Sequence, residues 1–564
     1  MKRILFSLVL ILCIPAGWAQ DTPPGAAVAT AHPLATQAGM EILQAGGNAF
    51  DAAVAISAVI GVVEPYGSGL GGGGFWLLHR NADGFQVMVD GREKAPGKAH
   101  RDMYLDAKDE VIAKASIDGP LAAAIPGAPA AMAHLARNYG RLPLQKSLAP
   151  AIKIAREGFP VDEHYRRFAA FRLDALRVDP SAAAIFLHQN EVPPLGYHLK
   201  QPDLARTLQS IADDGAADFY RGKLAKKLAA GVRAAGGIWD EADLRAYAVV
   251  ERAPVVGSYR GMKFTLVPPP SSGGVALASM FNMLDNFMLA EMPRVDRIHL
   301  NIEVMRRAYR DRAEYLGDPD FVPVPVQRLT SDGYTNVLAA DIKLDEATPS
   351  DALKPVPAGE GGGNNTTHFS VLDREGNRVA ATLSINYPFG ACFVVPGTGV
   401  LLNDEMDDFS AKPGAPNAYG LVGAEANAIA PGKRPLSSMS PTFLENDRGV
   451  AILGTPGGSR IITMVLLGAL EFVRGGDAQA IVGLPRYHHQ YLPDRVTYES
   501  GAFTAEEAGE LSLRGHLVDT EGQSPYGNMQ AIVWDKQKKT VSAASDSRGI
   551  GAAEVLFRAV DQMK

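Results

Sequence analysis

The pattern of apolar and polar positions divides the chain into a helical part and a part rich in short strands. Near the start, Leu34 to Ala45 has apolar residues at helical spacing, and Ala49 to Val63 is almost wholly apolar. Both segments predict helices that pack in a core. Two further segments, Phe75 to His79 and Phe85 to Asp90, predict strands joined by a polar turn. From Leu121 to about Arg312, the periodicity predicts mostly helices.

The pattern changes after Pro357, where short segments rich in Val, Ile and Thr are separated by turns. The predicted strands are Thr367 to Asp373, Arg378 to Asn386, Val450 to Leu453, Ala531 to Asp535 and Thr540 to Ser545. One helix, Ile461 to Val473, is predicted among them. Strands near both ends with helices between them indicate an α+β fold, in which helices cover sheets that form only when the two ends pair.

The first residues have the pattern of an export signal. Met1-Lys2-Arg3 precedes an apolar run from Ile4 to Ile14, and small residues stand before a predicted cut after Ala19. This arrangement is typical of a secretory signal peptide, and the apolar run is too short to span a bilayer as a permanent helix. We therefore expect residues 1–19 to be removed and the mature protein to be periplasmic or secreted, without a membrane span.

The composition limits the classes of partner. Removal of the signal leaves Cys392 as the only cysteine, so no intramolecular disulfide is expected, and a packed thiol is favoured over a nucleophile. Hydrophobic residues at 46% and charged residues at 21% are typical of a globular enzyme. A net charge of −7 and a pI near 6.0 give no positive surface for nucleic acid. We expect a small-molecule partner.

The polar segment Asn364-Asn365-Thr366-Thr367-His368 is the strongest sign of chemistry. A threonine hydroxyl inside a chain is a weak nucleophile, but a threonine at a new N-terminus carries an α-amine of pKa about 7.7–8.0 that can act as its base. The Gly-rich approach from Pro357 to Gly363 would let Thr366 Oγ attack the carbonyl that precedes it. The segment therefore predicts self-cleavage between Asn365 and Thr366. A polar loop entering a half-buried strand is the alternative for these residues alone.

Three later segments combine turn residues with dense polar groups. Asp404 to Asp408 contains four carboxylates in five positions, which requires a cation or solvent. Lys433 to Pro441 carries paired hydroxyls between prolines. Gly454 to Arg460 ends a strand and begins a helix, so its backbone N–H groups can form an oxyanion hole. Together these segments fit a site that binds an amino acid zwitterion and attacks a neighbouring amide.

Two other motifs suggest a cofactor or a metal, but their context argues against both. Gly69 to Gly74 satisfies the dinucleotide fingerprint, yet a helix precedes it and a strand follows it, the reverse of the required order. A close approach of backbones is the preferred interpretation. His488 and His489 are adjacent, so on a strand they point to opposite faces and cannot easily share one ion. No metal and no cofactor are expected.

Long, ordered motifs resemble the γ-glutamyltransferase family, also called glutathione hydrolases, over essentially the whole mature chain. The motifs that resemble the small subunit of that family are Asn365 to Val371, Asp407 to Ser410, Arg434 to Pro441 and Pro456 to Arg460. Those that resemble the large subunit are Gly71 to Phe75, Asp90 to Glu93, Pro268 to Gly274 and Tyr315 to Asp318. The resemblance implies an N-terminal nucleophile hydrolase with a four-layer αββα sandwich. It also implies one precursor cleaved into a large subunit (20–365) and a small subunit (366–564).

The resemblance also assigns roles in the reaction. It implies that Thr366 is the nucleophile and, after cleavage, supplies its own base, while Thr367 holds the new amine. Gly457 and Gly458 would supply the oxyanion N–H groups. Ser384 stands where the family usually has a threonine that hydrogen-bonds the nucleophile; the hydroxyl is kept, but the methyl group that fixes its rotamer is not.

Substrate contacts follow from the same resemblance. A guanidinium fork and two hydroxyls suit the substrate α-carboxylate, and the residues implied are Arg92, Ser437 and Ser438. The α-ammonium would be held by Asn386, Glu405 and Asp408. The segment from Pro413 to Gly423, with Tyr419, resembles the lid loop of bacterial members. The expected activity is cleavage of the γ-glutamyl amide of glutathione and related compounds, with transfer to water or amino acids.

Two alternatives remain at this point. A cephalosporin acylase on the same scaffold would act on a glutaryl group, which lacks the ammonium and would leave Glu405 and Asp408 without a counter-charge. A non-catalytic protein that retains the amino acid pocket would have no need of an intact Thr366.

Overall fold

The computed structural model describes residues 21–353, 366–412, 414–519 and 525–557. The predicted signal peptide and Asn365 lie outside these residues. In chain order the helices are α1 (Pro33–Gln44), α2 (Ala49–Val63), α3 (Ala128–Asn138), α4 (Leu144–Glu157), α5 (Glu163–Phe171), α6 (Leu173–Val178), α7 (Pro180–Phe186), α8 (Pro202–Asp214), α9 (Ala217–Arg221), α10 (Lys223–Ala234), α11 (Glu241–Ala246), α12 (Gly273–Leu284), α13 (Arg294–Tyr315), α14 (Val326–Leu329), α15 (Asp332–Ala340), α16 (Ile461–Val473), α17 (Ala478–Gly483) and α18 (Ala505–Leu513). None of these helices combines the length and apolarity needed to cross a bilayer.

Short strands occur in both halves of the described chain. They are β1 (Gly25–Thr30), β2 (Gly73–Arg80), β3 (Phe85–Gly91), β4 (Phe159–Pro160), β5 (His198–Leu199), β6 (Val250–Arg252), β7 (Val255–Tyr259), β8 (Met262–Leu266), β9 (Thr367–Leu372), β10 (Arg378–Ser384), β11 (Thr442–Asn446), β12 (Gly449–Gly454), β13 (Tyr487–His488), β14 (Thr497–Tyr498), β15 (Gln530–Asp535), β16 (Thr540–Ser545) and β17 (Ala552–Phe557).

Two large sheets are each built from distant parts of the chain. The seven-stranded sheet has the order β17-β1-β9-β10-β2-β3-β6, and the six-stranded sheet has the order β16-β15-β12-β11-β8-β7. Neighbouring strands in both sheets are antiparallel. Strands β1 and β2 from the start of the chain enclose β9 and β10 from its second half, so neither half completes the sheet alone.

The two sheets face each other, and helices cover their outer faces. Alternation along each strand sends successive side chains to opposite faces. On β1, Val28 packs in a core with α1, α2 and α4, whereas Ala27 and Ala29 pack in the core shared with the second sheet. Helices α12, α13 and α16 contribute to that second core. The layers are therefore helix, sheet, sheet, helix, which confirms the expected αββα sandwich.

Local sequence signals account for many element boundaries. Helix α2 has the predicted bounds. It begins at Ala49 because Asn48 caps it through the N–H groups of Phe50 and Asp51, and Asp51 accepts the Asn48 N–H in return. The prediction of mostly helices between Leu121 and Arg312 omitted β7 and β8. These strands take their stability from the pairing of β8 with β11, about which local periodicity carries no information.

The Gly-rich segment before β2 brings backbones into close contact. A Cβ added to Gly71 would lie 1.9 Å from Leu401 O, and one added to Gly72 would lie 2.1 Å from Ser384 O. Neither position has room for a side chain, and the segment leads into a strand rather than a helix. The dinucleotide fingerprint is therefore a packing motif here, as the order of elements indicated.

Candidate active site

Thr366 stands immediately before β9, which lies between β1 and β10 in the seven-stranded sheet. His368 faces the second sheet, because a Cβ on Gly454 would lie 2.3 Å from its ring. Phe369 packs in the helix-side core. Alternation then directs the side chain of Thr366 to the same face as His368, and that of Thr367 to the helix side. Thr366 is 9% exposed, and Thr367 is fully buried.

A small cavity of about 20 Å³ adjoins Thr366. Its lining is Arg92, Thr366, Ser384, Asn386, Glu405, Asp408, Tyr419, Leu421, Ser437, Ser438, Met439, Gly458 and Ile461. Ten of the thirteen site residues named from the sequence are in this set. Thr367 and Gly457 are chain neighbours of lining residues, and Asn365 lies outside the described residues. A cavity of this size holds about one water molecule, so the site is closed in this structure.

Arg92 is the centre of charge in the cavity. Its guanidinium is fully buried, and it forms ion pairs with Glu405 through Nη1 and with Asp408 through Nη2. The carbonyl of Pro435 accepts a hydrogen bond from Nε at 3.2 Å. Burial raises the pKa of the Glu405 carboxyl, and the Arg92 guanidinium opposes that rise. The cation that the acidic segment required is therefore a residue more than three hundred positions earlier in the chain.

Only two of the four carboxylates between 404 and 408 line the cavity. Asp404 accepts the N–H of Tyr387 at 2.9 Å, and Asp407 accepts the Ser116 hydroxyl at 2.7 Å and the Ala418 N–H at 2.8 Å. These two side chains support loops around the site. Asp404 precedes a short 3₁₀ helix that contains the other three acids, at 405–408. The four carboxylates therefore point in different directions and have different partners.

Glu93 is a site residue for which the sequence analysis named no role. Its side chain is fully buried, with one oxygen 3.5 Å from Arg92 Nη1, and neither oxygen accepts a hydrogen bond in the described part of the chain. Burial raises the pKa of this carboxyl well above its usual range, and the nearby Glu405 adds to the effect. A neutral Glu93 is consistent with this environment. The sequence feature that could have indicated Glu93 is its position next to Arg92 in the motif Asp90 to Glu93.

A second buried guanidinium, that of Arg312 on α13, approaches the serine pair. Its Nη2 donates to Ser438 Oγ at 3.3 Å, and its Nε donates to Ser272 Oγ at 3.0 Å. Ser437 Oγ accepts the Met439 N–H at 3.1 Å. Arg312 could not be singled out from the sequence, because its charge is one of several in the run from Arg306 to Arg312.

Tyr419 closes the cavity from the loop that was predicted to be a lid. Its hydroxyl donates to Asn386 O at 2.6 Å, while the Asn386 N–H donates to Ser384 Oγ at 2.8 Å. The Tyr419 ring lies over Gly458, where an added Cβ would be 2.5 Å from the ring. Gly458 has a φ of 55° and Gly457 a φ of 146°, so both favour glycine.

Gly457 and Gly458 lie between β12 and α16. Gly458 begins a 3₁₀ turn that leads directly into α16. The first N–H groups of a helix have no partners within the helix, and they favour negative charge. This placement beside the cavity suits the stabilisation of an oxyanion, as the sequence indicated.

Two groups outside the cavity have structural explanations. The Cys392 thiol is buried, accepts hydrogen bonds from Arg172 at 3.2 and 3.4 Å, and has its pKa raised by burial to about 12, which opposes a nucleophilic role. His299, Glu303 and His516 cluster closely enough to hold a metal ion. The His299 ring bonds to Lys343 O and to His516 at 2.7 Å each, so a chain of hydrogen bonds already uses these nitrogens.

Comparisons with known proteins agree with this geometry. Residues 35–556 match the family model described as gamma-glutamyltranspeptidase. The glutathione hydrolase proenzyme of Escherichia coli (strain K12) is 41% identical over 528 residues, which cover 93% of this chain and 90% of that protein. Among solved structures, the cephalosporin acylase from Bacillus halodurans aligns with a TM-score of 0.82 and 28% identity, covering 98% of this chain and 99% of that one.

The gamma-glutamyltranspeptidase of Helicobacter pylori is 40% identical, with a TM-score of 0.56, and covers 57% of this chain and 93% of its own. A four-layer αββα sandwich with a threonine at the head of a central strand defines the class of N-terminal nucleophile hydrolases. Within that class, the chain belongs to the gamma-glutamyltranspeptidase family.

Asn403 holds the acidic loop against the Gly-rich segment, and its replacement should destabilise the protein. Its amide donates to Gly71 O and Ala124 O, and its oxygen accepts the N–H groups of Ala124 and Glu405. Asn403→Ala removes the side-chain partner of three buried groups, Ala124 O and the N–H groups of Ala124 and Glu405, while Gly71 O keeps the backbone N–H of residue 403. We therefore expect a loss of about 2–4 kcal/mol, measured from the shift of the urea unfolding curve. Asn282→Ala removes a single bond to Thr330 O and should cost less. Equal losses in the two variants would contradict this role of Asn403.

Proposed function

We propose that this chain is a γ-glutamyltransferase and glutathione hydrolase that acts through Thr366. The observation that carries the proposal is that Thr366, the Arg92 guanidinium and the carboxylates of Glu405 and Asp408 line one closed cavity. A nucleophile beside one cation and two anions fits an acyl group that carries both a carboxylate and an ammonium. Membership in the gamma-glutamyltranspeptidase family supports the same activity. No cofactor enters the reaction.

Self-cleavage between Asn365 and Thr366 is the first step of the proposal. The attack of Thr366 Oγ on the preceding carbonyl would convert the peptide bond to an ester, and water would then release a new N-terminal threonine. The large subunit (20–365) and small subunit (366–564) would stay together, because β9 and β10 are enclosed by β1 and β2. The name proenzyme given to the Escherichia coli relative supports this step.

Substrate binding in this scheme exchanges ion pairs. In the closed site Arg92 is already neutralised by Glu405 and Asp408. The α-carboxylate of a γ-glutamyl group would replace these acids at Arg92, with help from Ser437 and Ser438, and its α-ammonium would pair with the displaced acids. Since a zwitterion brings both charges at once, no buried charge is left unpaired. Asn386 would add a polar contact to the ammonium.

The chemical step uses the geometry around Thr366. Thr366 Oγ attacks the γ-carbonyl while the α-amine takes its proton, and the oxyanion is held by the N–H groups of Gly457 and Gly458. The ammonium then returns the proton to the leaving amine, and water or an amino acid releases the acyl group. Ser384 would orient the nucleophile, and Thr367 the amine.

The closed cavity requires an opening movement before substrate enters. A volume of about 20 Å³ cannot hold a γ-glutamyl group, and Tyr419 lies over Gly458 with its hydroxyl bonded to Asn386 O. We assign Tyr419 the role of a lid whose displacement admits substrate and whose return excludes water. The signal pattern in residues 1–19 supports a periplasmic or secreted location for the mature enzyme.

A glutaryl acylase is the second candidate, since the Bacillus halodurans protein named as a cephalosporin acylase shares the fold. A glutaryl group brings a carboxylate but no ammonium. It would displace Glu405 and Asp408 from Arg92 and leave them buried without a counter-charge, which is costly. The two acids therefore favour the γ-glutamyl substrate. A non-catalytic binding role would leave the closed Thr366 site unexplained.

Thr366→Ala should remain a single uncleaved chain without activity, because it removes the attacking oxygen from both reactions. Denaturing gels and N-terminal sequencing of the wild-type protein should show fragments that start near Gln20 and at Thr366. Thr442→Ala, at a buried threonine on β11, serves as a control that should cleave normally. Cleavage in Thr366→Ala, or a single intact chain in active wild-type enzyme, would contradict the assignment.

Arg92→Lys should cleave itself normally and lose γ-glutamyl turnover. Lysine keeps the charge but loses the planar fork, and truncated charge contacts in buried sites cost about 2–5 kcal/mol. We expect kcat/KM for a γ-glutamyl anilide to fall about 30- to 5000-fold.

Arg307→Lys provides a matched control, since Arg307 is fully buried in an ion pair with Glu303 outside the cavity. It should lower thermal stability without a specific loss of turnover. A loss below threefold in Arg92→Lys would show that Arg92 has a structural role only.

Asp408→Asn should reduce activity on γ-glutamyl donors far more than on glutaryl donors, because only the former carry the ammonium. The measurement is kcat/KM for both donors in wild type and variant. Asp407→Asn is the control, since Asp407 bonds to Ser116 and Ala418 rather than lining the cavity. Equal proportional losses in Asp408→Asn would make Asp408 structural, and a wild-type preference for glutaryl donors would favour the acylase.

A further inference from the structure

Helix α2 ends in a buried carboxyl group on the helix side of β9. Glu64 follows the last residue of α2, is 3% exposed, and donates its N–H to Ile60 O at 2.8 Å. Its carbonyl accepts the N–H groups of Gly67 and Ser68 at 2.8 and 3.0 Å. These bonds fix the turn after the helix, and they therefore fix the backbone position from which the Glu64 side chain extends.

The turn brings this carboxyl close to the nucleophile residue. A Cβ placed on Gly67 would lie 3.6 Å from Thr366 O and 3.8 Å from Glu64 Oε2. The backbone of Thr366 and the Glu64 carboxyl therefore border the same small space. Since alternation directs the Thr366 side chain to the opposite face of the sheet, Glu64 lies behind the nucleophile and away from the substrate cavity.

The Thr367 hydroxyl lies near the Glu64 carboxyl and lowers its pKa. It makes no hydrogen bond of regular geometry in the residues that the structure describes. A hydroxyl that donates its proton to a carboxylate keeps two lone pairs to accept hydrogen bonds. Thr367 is thus placed to accept from an amine at the start of β9 while Glu64 orients it.

Among the residues that the structure describes, no positively charged group forms an ion pair with Glu64. Burial raises its pKa to about 7, and Asp162 adds to the rise. The Tyr66 hydroxyl donates to Oε1 at 3.5 Å, and behind the Tyr66 ring lie the His164 ring, 5.6 Å away, and the Arg167 side chain. None of the groups that shift the pKa of Glu64 is positively charged. A buried carboxylate without a positively charged partner stabilises a cation that forms next to it.

We propose that Glu64 is a positioning residue that supplies the counter-charge for the α-ammonium of Thr366, acting through the Thr367 hydroxyl. This inference rests on the proposed function, because the amine exists only after cleavage. During acylation the proton of Thr366 Oγ moves to the amine, the Oγ–carbon bond forms, and the carbonyl electrons become the oxyanion. Glu64 takes up no proton in this step, because the ammonium that forms beside it favours the ionised carboxylate, as in the buried carboxylate of a catalytic triad.

The test is Glu64→Gln, which keeps the shape and removes the charge. We expect normal self-cleavage, a fall in kcat of about 10- to 100-fold, and a change in KM below twofold for a γ-glutamyl anilide. Without the negative charge the ammonium is less stable, so the amine loses its proton at lower pH. The acidic limb of kcat/KM against pH should therefore move down by about one pH unit, a shift that a structural role would not produce.

Asp162→Asn is the matched control, because it removes a neighbouring carboxylate that caps α5 through the Tyr165 N–H. Its acidic limb should move less than half as far. An equal movement in the control, or wild-type kcat and pH profile in Glu64→Gln, would overturn the inference while leaving the proposed function intact. Failure of wild-type protein to split or to turn over γ-glutamyl donors would instead contradict the proposed function.

Two further outcomes are informative. A folded Glu64→Gln protein that does not split would overturn the inference, because the amine is absent before cleavage. If Glu64→Gln does not fold, Glu64→Asp moves the carboxylate back by one methylene and should lower kcat at least threefold at unchanged KM. An unchanged kcat in a folded Glu64→Asp enzyme would also overturn it.

Discussion

The enclosure of β9 between β1 and β10 is the constraint on which the site depends. A central strand has its backbone groups paired on both sides, so its side-chain directions are fixed by the pleat. Thr366 is thereby directed into the space between the sheets, where the turn after β12 brings Gly457 and Gly458. Thr367 is directed to the opposite face, toward the end of α2. One strand register thus separates the face proposed to meet substrate from the face proposed to support the nucleophile.

The site also depends on how charge is neutralised inside the closed cavity. Arg92 is fully buried, and a lone buried guanidinium would be costly, so the pairs with Glu405 and Asp408 neutralise it when no substrate is bound. In the proposed function, the same groups distinguish ligands. A zwitterion can replace both partners at once, whereas a simple carboxylate leaves two acids unpaired. Specificity in this view follows from how the empty site balances its own charge.

The fold alone does not fix this specificity, since an acylase and transpeptidases share the sandwich. The residues proposed to set specificity in this chain include the acidic 3₁₀ helix at 405–408 and the serine pair at 437–438. Asn403 fixes the acidic loop by bonding only to backbone groups of neighbouring segments. The scaffold is therefore rigid where charges must be placed and closed by one aromatic side chain, Tyr419.

The sequence by itself determined the local elements and predicted most of the residues that line the candidate site. The bounds of α2 and α16 follow from a cap and from apolar runs, and Thr366 was predicted as the nucleophile from its Gly-rich approach and the motifs downstream. The tertiary structure decided which groups meet. Strand β8 pairs with β11, Arg92 neutralises an acidic segment far along the chain, and Arg312, Glu93 and Glu64 approach the site. Local periodicity and capping depend on neighbours in sequence, whereas these contacts depend on long-range strand pairing and on burial, which no single segment encodes.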